Sequence, residues 1–468
     1  MTLGHATVAA ADEPIAASEP RMMSETAEIT SVVDAFDGDD PFDLNLTLGF
    51  QQTWKHSNIH RETALNQPGL SSGGYVSDTE NIASYTRATS KLNVGADIGI
   101  YQDLALIFRL PIILSDTQNL GDLDGSSNVP QLLTDPTGHS LFSVPFKSPN
   151  RSGIDWMSLG LDWAIFNQQR DPGKPTWVVG VEGRLAVGTP LHACNANAPS
   201  NQVECPTPGK PATDLSTNRS PGISRGMDSV AAHTVFSRRF GYVEPYSGLW
   251  FLADFPQTNS DYGATDTAPG SVVNHPPLVG TFSLGMEVVP WEHREQFQRL
   301  VTDFRLSGIY HSAGREYSEL FDALGSSSAP SLTSANPGAY KAGANGSTAD
   351  NSVQQVYFTG ITDQQAYTSV GAQFSTTLQA GEYIKFQVGA SLTYDQSHLI
   401  TSADACNPNV NGIPGGTAGD CVTTSGRTMT STGIPNPNQR PVIDLPGNRF
   451  SSDDGTIIDL WVNGVVMF

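Results

Sequence analysis

The sequence predicts an all-β protein, a transmembrane antiparallel up-and-down β-barrel of about twelve strands with short turns at one end and long loops at the other. Three observations predict it. Strand-length segments with period-2 apolar alternation recur along the chain. The connections between them alternate between short and long. The last segment, GTIIDLWVNGVVMF, alternates up to the terminal residue, Phe468.

Composition is consistent with this and excludes other classes. The 468 residues carry 25 Lys+Arg against 47 Asp+Glu, a net charge of −22, with 38% hydrophobic residues, 45 Gly and 31 Pro. Such an acidic surface repels phosphates and lacks a basic stripe, which argues against a nucleic-acid partner. The sequence contains no run of 18 apolar residues, so no helix in it is apolar enough to span a bilayer. A barrel escapes that test because its apolar residues occupy every second position.

The strand segments are approximately Phe42–Thr53, Arg87–Tyr101, Leu104–Ser115, Ile154–Phe166, Thr176–Val187 and Ser229–Arg239, then Val243–Ala253, Leu278–Val289, Phe297–Tyr310, Tyr367–Leu378, Tyr383–Tyr394 and Thr456–Phe468. The first puts Phe42, Leu44, Leu46, Leu48 and Phe50 on one face, with Asp43, Asn45, Thr47, Gly49 and Gln51 on the other. The second opposes Leu92, Val94, Ala96, Ile98 and Ile100 to Lys91, Asn93, Gly95, Asp97 and Gly99. The eleventh opposes Ile384, Phe386, Val388, Ala390 and Leu392 to Lys385, Gln387, Gly389, Ser391 and Thr393. The third and seventh are apolar on both faces in places.

Connections after even-numbered segments are short, from Gln102-Asp103 to Asn167–Pro175; those after odd-numbered ones are long and rich in Gly, Ser, Asn and Pro. Structureless loops beyond about 15 residues are uncommon in a compact soluble domain, so a run of them argues against a soluble secreted all-β protein. An even strand number returns both termini to the short-turn end. Trp54, Tyr101, Trp163, Trp177, Trp291, Tyr310 and Tyr394 fall near strand ends, where amphipathic rings favour the membrane interface.

Two units follow: residues 1–41 form an acidic leader, and residues 42–468 form the barrel. Residues 1–11 resemble the small-residue end of a secretory signal peptide. Residues 1–43 hold ten acids and one Arg, −9 of the −22. The leader is expected to be solvated and outside the barrel, with a short helix around Glu25 to Ala35.

With its alternation and terminal Phe, the final segment resembles the C-terminal signal of Gram-negative outer-membrane β-barrel proteins. The resemblance implies a location in the outer membrane, contact with its lipid, and delivery by the barrel-assembly machinery through Trp461, Val466 and Phe468. It implies no substrate and no oligomeric state.

Cys194 and Cys205 share one long loop and Cys406 and Cys421 another. Local pairing of an even number suggests two loop disulfides, each worth roughly 3 kcal/mol in the chain-entropy model. The CxxC spacing and clustered His of zinc sites are absent from the sequence.

The inward faces hold Arg87, Lys91, Arg109, Arg184, Arg305 and Lys385 against Asp43, Asp97, Asp162, Glu182, Glu244, Glu287, Asp303 and Asp459. A lipid-facing Arg or Lys near the midplane would cost about 2–4 kcal/mol, which turns such residues toward the lumen. They suit a narrow passive channel for small solutes. The alternative is a filled structural barrel presenting its disulfide-tied loops to partners.

A third reading is an outer-membrane lipid hydrolase. The segment GIYHSAGREY superficially resembles the His/Ser segment of outer-membrane phospholipases and lipid A deacylases, which use a His-x-Ser spacing on a strand. Here His311 and Ser312 are adjacent and point to opposite faces, so no catalytic residue is assigned. The acidic runs GDLDGSSN and DAFDGDDPFD offer oxygen ligands for Ca²⁺, but neither completes an EF-hand loop. No metal or cofactor is expected.

Overall fold

A computed structural model describes residues 27–36, 43–66, 75–123, 130–262, 275–337, 340–343, 346–349, 355–404, 406–407 and 434–468. Twelve strands form one antiparallel sheet in chain order: β1 Leu44–Asn66, β2 Tyr75–Tyr101, β3 Leu104–Gly121, β4 Trp156–Phe166, β5 Thr176–Ala186, β6 Met227–Ser237, β7 Val243–Pro256, β8 Val279–His293, β9 Gln298–His311, β10 Tyr367–Gly381, β11 Ile384–Asp395 and β12 Phe450–Met467. The sheet closes on itself through β1 and β12, from Asn45↔Met467 to Arg61↔Phe450. Closure leaves no edge strand, the condition for placing a sheet in lipid.

Alternation dictates which side chains face out. On β1, Leu46, Leu48, Phe50 and Trp54 are exposed; their cross-strand neighbours Ala96, Val94, Leu92 and Ala88 continue the same surface onto β2. Phe304 and Leu306 on β9 and Phe386, Val388 and Leu392 on β11 extend it around the wall.

β1, β2, β3 and β12 run further at the long-loop end than their apolar alternation predicts. Lys55–Asn66 pairs with Tyr75–Arg87, so the expected first long loop is largely a two-stranded ribbon. Apolar residues on this ribbon are few and do not alternate regularly; Ile59, Ile82 and Ala83 are buried against the cap, so the period-2 pattern that marks a strand is lost. The turn expected from Pro290 is also shifted. β8 continues through a register irregularity between Val288 and Trp291, and the chain reverses at Arg294–Gln296 with Phe297 left-handed. Such an irregularity accommodates Pro290, which has no N–H to donate.

The packed apolar core lies above the wall rather than within it. Ile59, Leu120, Leu141, Phe142, Leu320, Leu324, Leu332, Ile443 and Phe450 form one buried cluster, contributed by strand extensions and by three long loops. The long loops therefore form a folded cap. Its polar ties include Arg61, which donates to the carbonyls of Leu132 and Val442.

Candidate functional site

Solvent-type polarity is inverted across the wall. Outside, the strands present bare Leu, Phe, Val and Trp side chains; inside, they present hydroxyls, amides and charges that bond to one another. Exposed apolar surface of this extent in a closed barrel requires lipid around it. The chain is an outer-membrane β-barrel. Its short turns face the periplasm of a Gram-negative cell and its cap faces outward.

No family model and no curated protein matches the sequence. Among solved structures, the chain is similar to the COG4313 outer membrane channel from Pseudomonas putida F1, at 9% identity and TM-score 0.32, covering 90% of this chain and 95% of that one. It is also similar to a Pseudomonas aeruginosa FadL homologue, at 7% identity and TM-score 0.30, covering 91% and 89%. A deltaS2 mutant of the TodX monoaromatic hydrocarbon channel matches at 9% identity and TM-score 0.31, covering 96% and 94%. The assignment of the fold rests on the barrel's own closure and polarity, not on these likenesses.

The middle of the lumen holds most of the charges singled out in the sequence, and they come together in small groups. Arg109 binds Asp97. Arg184 reaches Glu182 at 3.0 Å and lies over the Trp156 ring at 4.8 Å. Arg305 donates to the Tyr246 hydroxyl at 3.0 Å, which itself donates to Asp303 at 2.6 Å. Asp162 lies 3.4 Å from His233, whose ring stacks on Trp250. Asp459 accepts from Gln51 at 2.8 Å, Thr53 at 2.5 Å and Ser391 at 3.0 Å. Lys91 interacts electrostatically with Asp459 and with Arg87. Opposite charges placed side by side neutralise the lumen locally, so the −22 of the whole chain does not describe its interior.

Residues 27–36 occupy the periplasmic mouth, contrary to the expectation of a leader outside the barrel. The Glu28 N–H donates to Glu287 at 2.8 Å, and Lys385 reaches the Glu28 carboxylate at 3.6 Å. Thr30 and Ser237 hydroxyls lie 2.9 Å apart, and Ser237 donates to Glu244 at 2.6 Å. Ala35 pairs with Gln102, and Arg170 holds Asp34 at 3.1 Å. Gly99 is required here, because a Cβ would collide with the Asp34 carbonyl. The segment forms a turn at residues 28–30, with no α-helix. Asp43 follows it, its carbonyl accepting from the Gly99 N–H at 3.0 Å. Composition alone made this segment look solvated; its acids are instead paired, Glu28 with Lys385 of the wall and Asp34 with Arg170 of the turn after β4.

At the outer mouth the loop after β9 folds inward. Gly314–Glu316 pairs with Thr362–Gln364, and the chain then drops against the wall. Glu316 and Asp254 both bind Arg225, the latter at 2.9 Å. Glu319 takes Lys55 at 2.9 Å, and Lys55 also reaches Asp395 at 3.3 Å. Tyr367 stacks between His311 at 4.4 Å and His398 at 3.8 Å. Arg87 is paired with buried Asp116 through two bonds of 2.8 and 3.1 Å.

Electrostatics in the cap follow burial. Burial raises the Glu319 carboxyl, but Lys55 and His398, with the hydrogen bonds it accepts, together outweigh that and hold it at about 2. Burial pushes Asp363 up to about 7 against the pull of Arg315, with Asp404 adding to the rise. Burial likewise pushes Asp444 up to about 8, although the Arg440 and Ala403 N–H groups donate to it.

Sequence reasoning missed Lys55, Arg225, Glu316, Glu319, His233 and Trp250. Lys55 was within reach, since it continues the inward register of Thr47, Gln51 and Thr53. The others depend on loop paths or on strands apolar on both faces. Trp461 lies in the lumen, packed over Gly389, whereas Val466 and Phe468 face outward. Cys194 and Cys205 form a disulfide, and Cys421, of the second expected pair, lies outside the described residues. His311 stacks on Tyr367 while the Ser312 hydroxyl accepts from the Leu278 N–H at 2.8 Å, so the two are turned to different partners. Both acidic runs, 121–128 and 34–43, lie partly outside the described residues, and among those described no group of three His, Cys, Asp or Glu is placed to hold a metal.

Proposed function

We propose that the protein is a narrow passive channel for small solutes, with a charge-lined lumen closed at each end by a segment of its own chain. One observation carries the reading: the obstructions are residues 27–36 and the loop at 314–322, not an apolar core inside the wall. Residues 27–36 are held by hydrogen bonds and ion pairs, which water can replace when the segment moves; residues 314–322 combine such pairs with apolar anchorage through Leu320 and Phe321. Between them the wall is hydroxyl, amide and paired charge, the lining of an aqueous path.

Planar bilayers test this. Purified full-length protein is expected to give discrete current steps above background. A protein that inserts, shown by heat-modifiable migration, yet passes no current would favour the filled structural barrel with its disulfide-tied loop presented to partners. The solute-facing groups in this reading are those singled out in the lumen, Asp97, Arg109, Asp162, Glu182, Arg184 and Arg305 foremost. Outward-facing Val466 and Phe468 suit contact with the assembly machinery, tested by the loss of membrane insertion on Phe468 deletion.

A further inference from the structure

We propose that the chamber beneath the inward outer loop is a binding site for a small organic carboxylate with an apolar body. The proposal rests on reading the lumen as a solute path and names the class of solute held there. The chamber measures about 240 Å³ and lies between the barrel wall and residues 316–321. That is below the roughly 300–1,000 Å³ of drug-sized ligand pockets, so its occupant is small.

The accounting of donors and acceptors sets the sign of the ligand. Arg87 and Arg225 both line the chamber, with side chains 43% and 37% exposed, while their partners Asp116 and Asp254 are 2% and 4% exposed. The acids are satisfied by the protein. Asp116 accepts from Arg87, Thr89 and Gln118; Asp155, which also lines the chamber, from Ser224 and the Arg225 N–H; and Glu319 from Lys55 and Ser452. Glu316 uses one oxygen on the Tyr317 N–H and the other on Arg225.

The guanidiniums are not saturated. Arg87 bonds through Nε and Nη2, leaving Nη1 to the chamber, and Arg225 bonds through Nη2, leaving Nε and Nη1. Lys55 stands directly across from Arg87 in register, so two cations meet on one wall. Spare charged donors facing saturated acceptors select an anion, and a planar guanidinium matches a carboxylate. Ile113, Leu191, Ile223 and Phe321 supply the apolar side of the chamber, which a bare inorganic anion would leave unused. The site is anion-selective within a chain of net charge −22.

The test is calorimetric titration of the full-length detergent-solubilised protein with benzoate, acetate, benzyl alcohol and benzylammonium. Benzoate is expected to bind saturably and roughly ten-fold or more tighter than the other three, since one charge-assisted pair or one buried ring is worth that factor. Arg225→Gln, and Arg87→Gln combined with Asp116→Asn to leave no orphaned charge, are each expected to weaken benzoate at least roughly ten-fold. Heat-modifiable migration of each variant verifies that it remains folded. Equal binding of benzyl alcohol, benzylammonium or acetate, or benzoate binding unchanged in the folded variants, overturns the proposal. Benzoate binding without current would refute the channel and leave this site standing; current without benzoate binding does the reverse.

Discussion

Arg151 and Asp322, 171 residues apart in sequence, form a buried two-bond pair with N–O distances of 2.7 and 2.9 Å. The same guanidinium donates to the carbonyls of His192 and Pro221, and the same carboxylate accepts the Cys194 N–H. Three long loops thus meet on one ion pair at the base of the cap. Removing one partner leaves a buried charge uncompensated, so Asp322→Ala is expected to cost about 3–5 kcal/mol. Limited proteolysis of the outer loops on intact cells reads this as accelerated cleavage, and an unchanged rate contradicts it.

Gly99 sets the position of the segment in the periplasmic mouth. Gly99→Val forces its Cβ into the Asp34 carbonyl and is expected to displace residues 27–36 without disturbing the wall. A membrane-impermeant maleimide should label Thr30→Cys slowly in the parent, where Thr30 is buried, and rapidly with Gly99→Val. Equal rates would show that the segment is not held at this point.

The cap carries a pH dependence of defined sign. Asp363 and Asp444 titrate at about 7 and about 8 in the folded protein, against about 3.9 in an unfolded chain. From about pH 4 to those values the native state holds more protons than the unfolded one, so cap stability falls as pH rises through that window. Glu319, at about 2, acts oppositely, contributing stability above the usual carboxyl range that is lost only in strong acid. Hydrogen exchange of cap amides should therefore quicken from pH 6 to pH 9 beyond the intrinsic rate, and Asp363→Asn with Asp444→Asn should flatten the trend. A flat profile in the parent refutes this assignment.

The wall makes its own prediction through Leu460 and Gln387. Leu460→Arg places a charge in lipid and is expected to cost about 2–4 kcal/mol near the midplane. Gln387→Arg, on the inward face, is expected to cost much less. Urea unfolding in lipid vesicles compares them, and equal losses would mean the faces are wrongly assigned.

The barrel was legible because lipid enforces alternation: Leu44 to Phe50 and Ile384 to Leu392 can be read only one way. Where lipid ends, so does the signal. His56–Asn66 is a strand without apolar periodicity, and its partner Tyr75–Thr86 was therefore expected to be loop. The lumen charges were found by the same parity, since Arg109, Asp162 and Asp459 fall between lipid-facing neighbours. What joins them was not readable. Arg225, Glu316 and Glu319 come from loops whose path depends on contacts across hundreds of residues, and Glu28 looked like any other acid of a charged leader.

Single-channel recording in planar bilayers of the full chain beside a chain lacking residues 27–36 tests the account most directly. Both are expected to give discrete steps, with the larger conductance in the shortened chain. Steps of equal size would contradict the role given to the segment, and silence from both inserted proteins would contradict the channel itself.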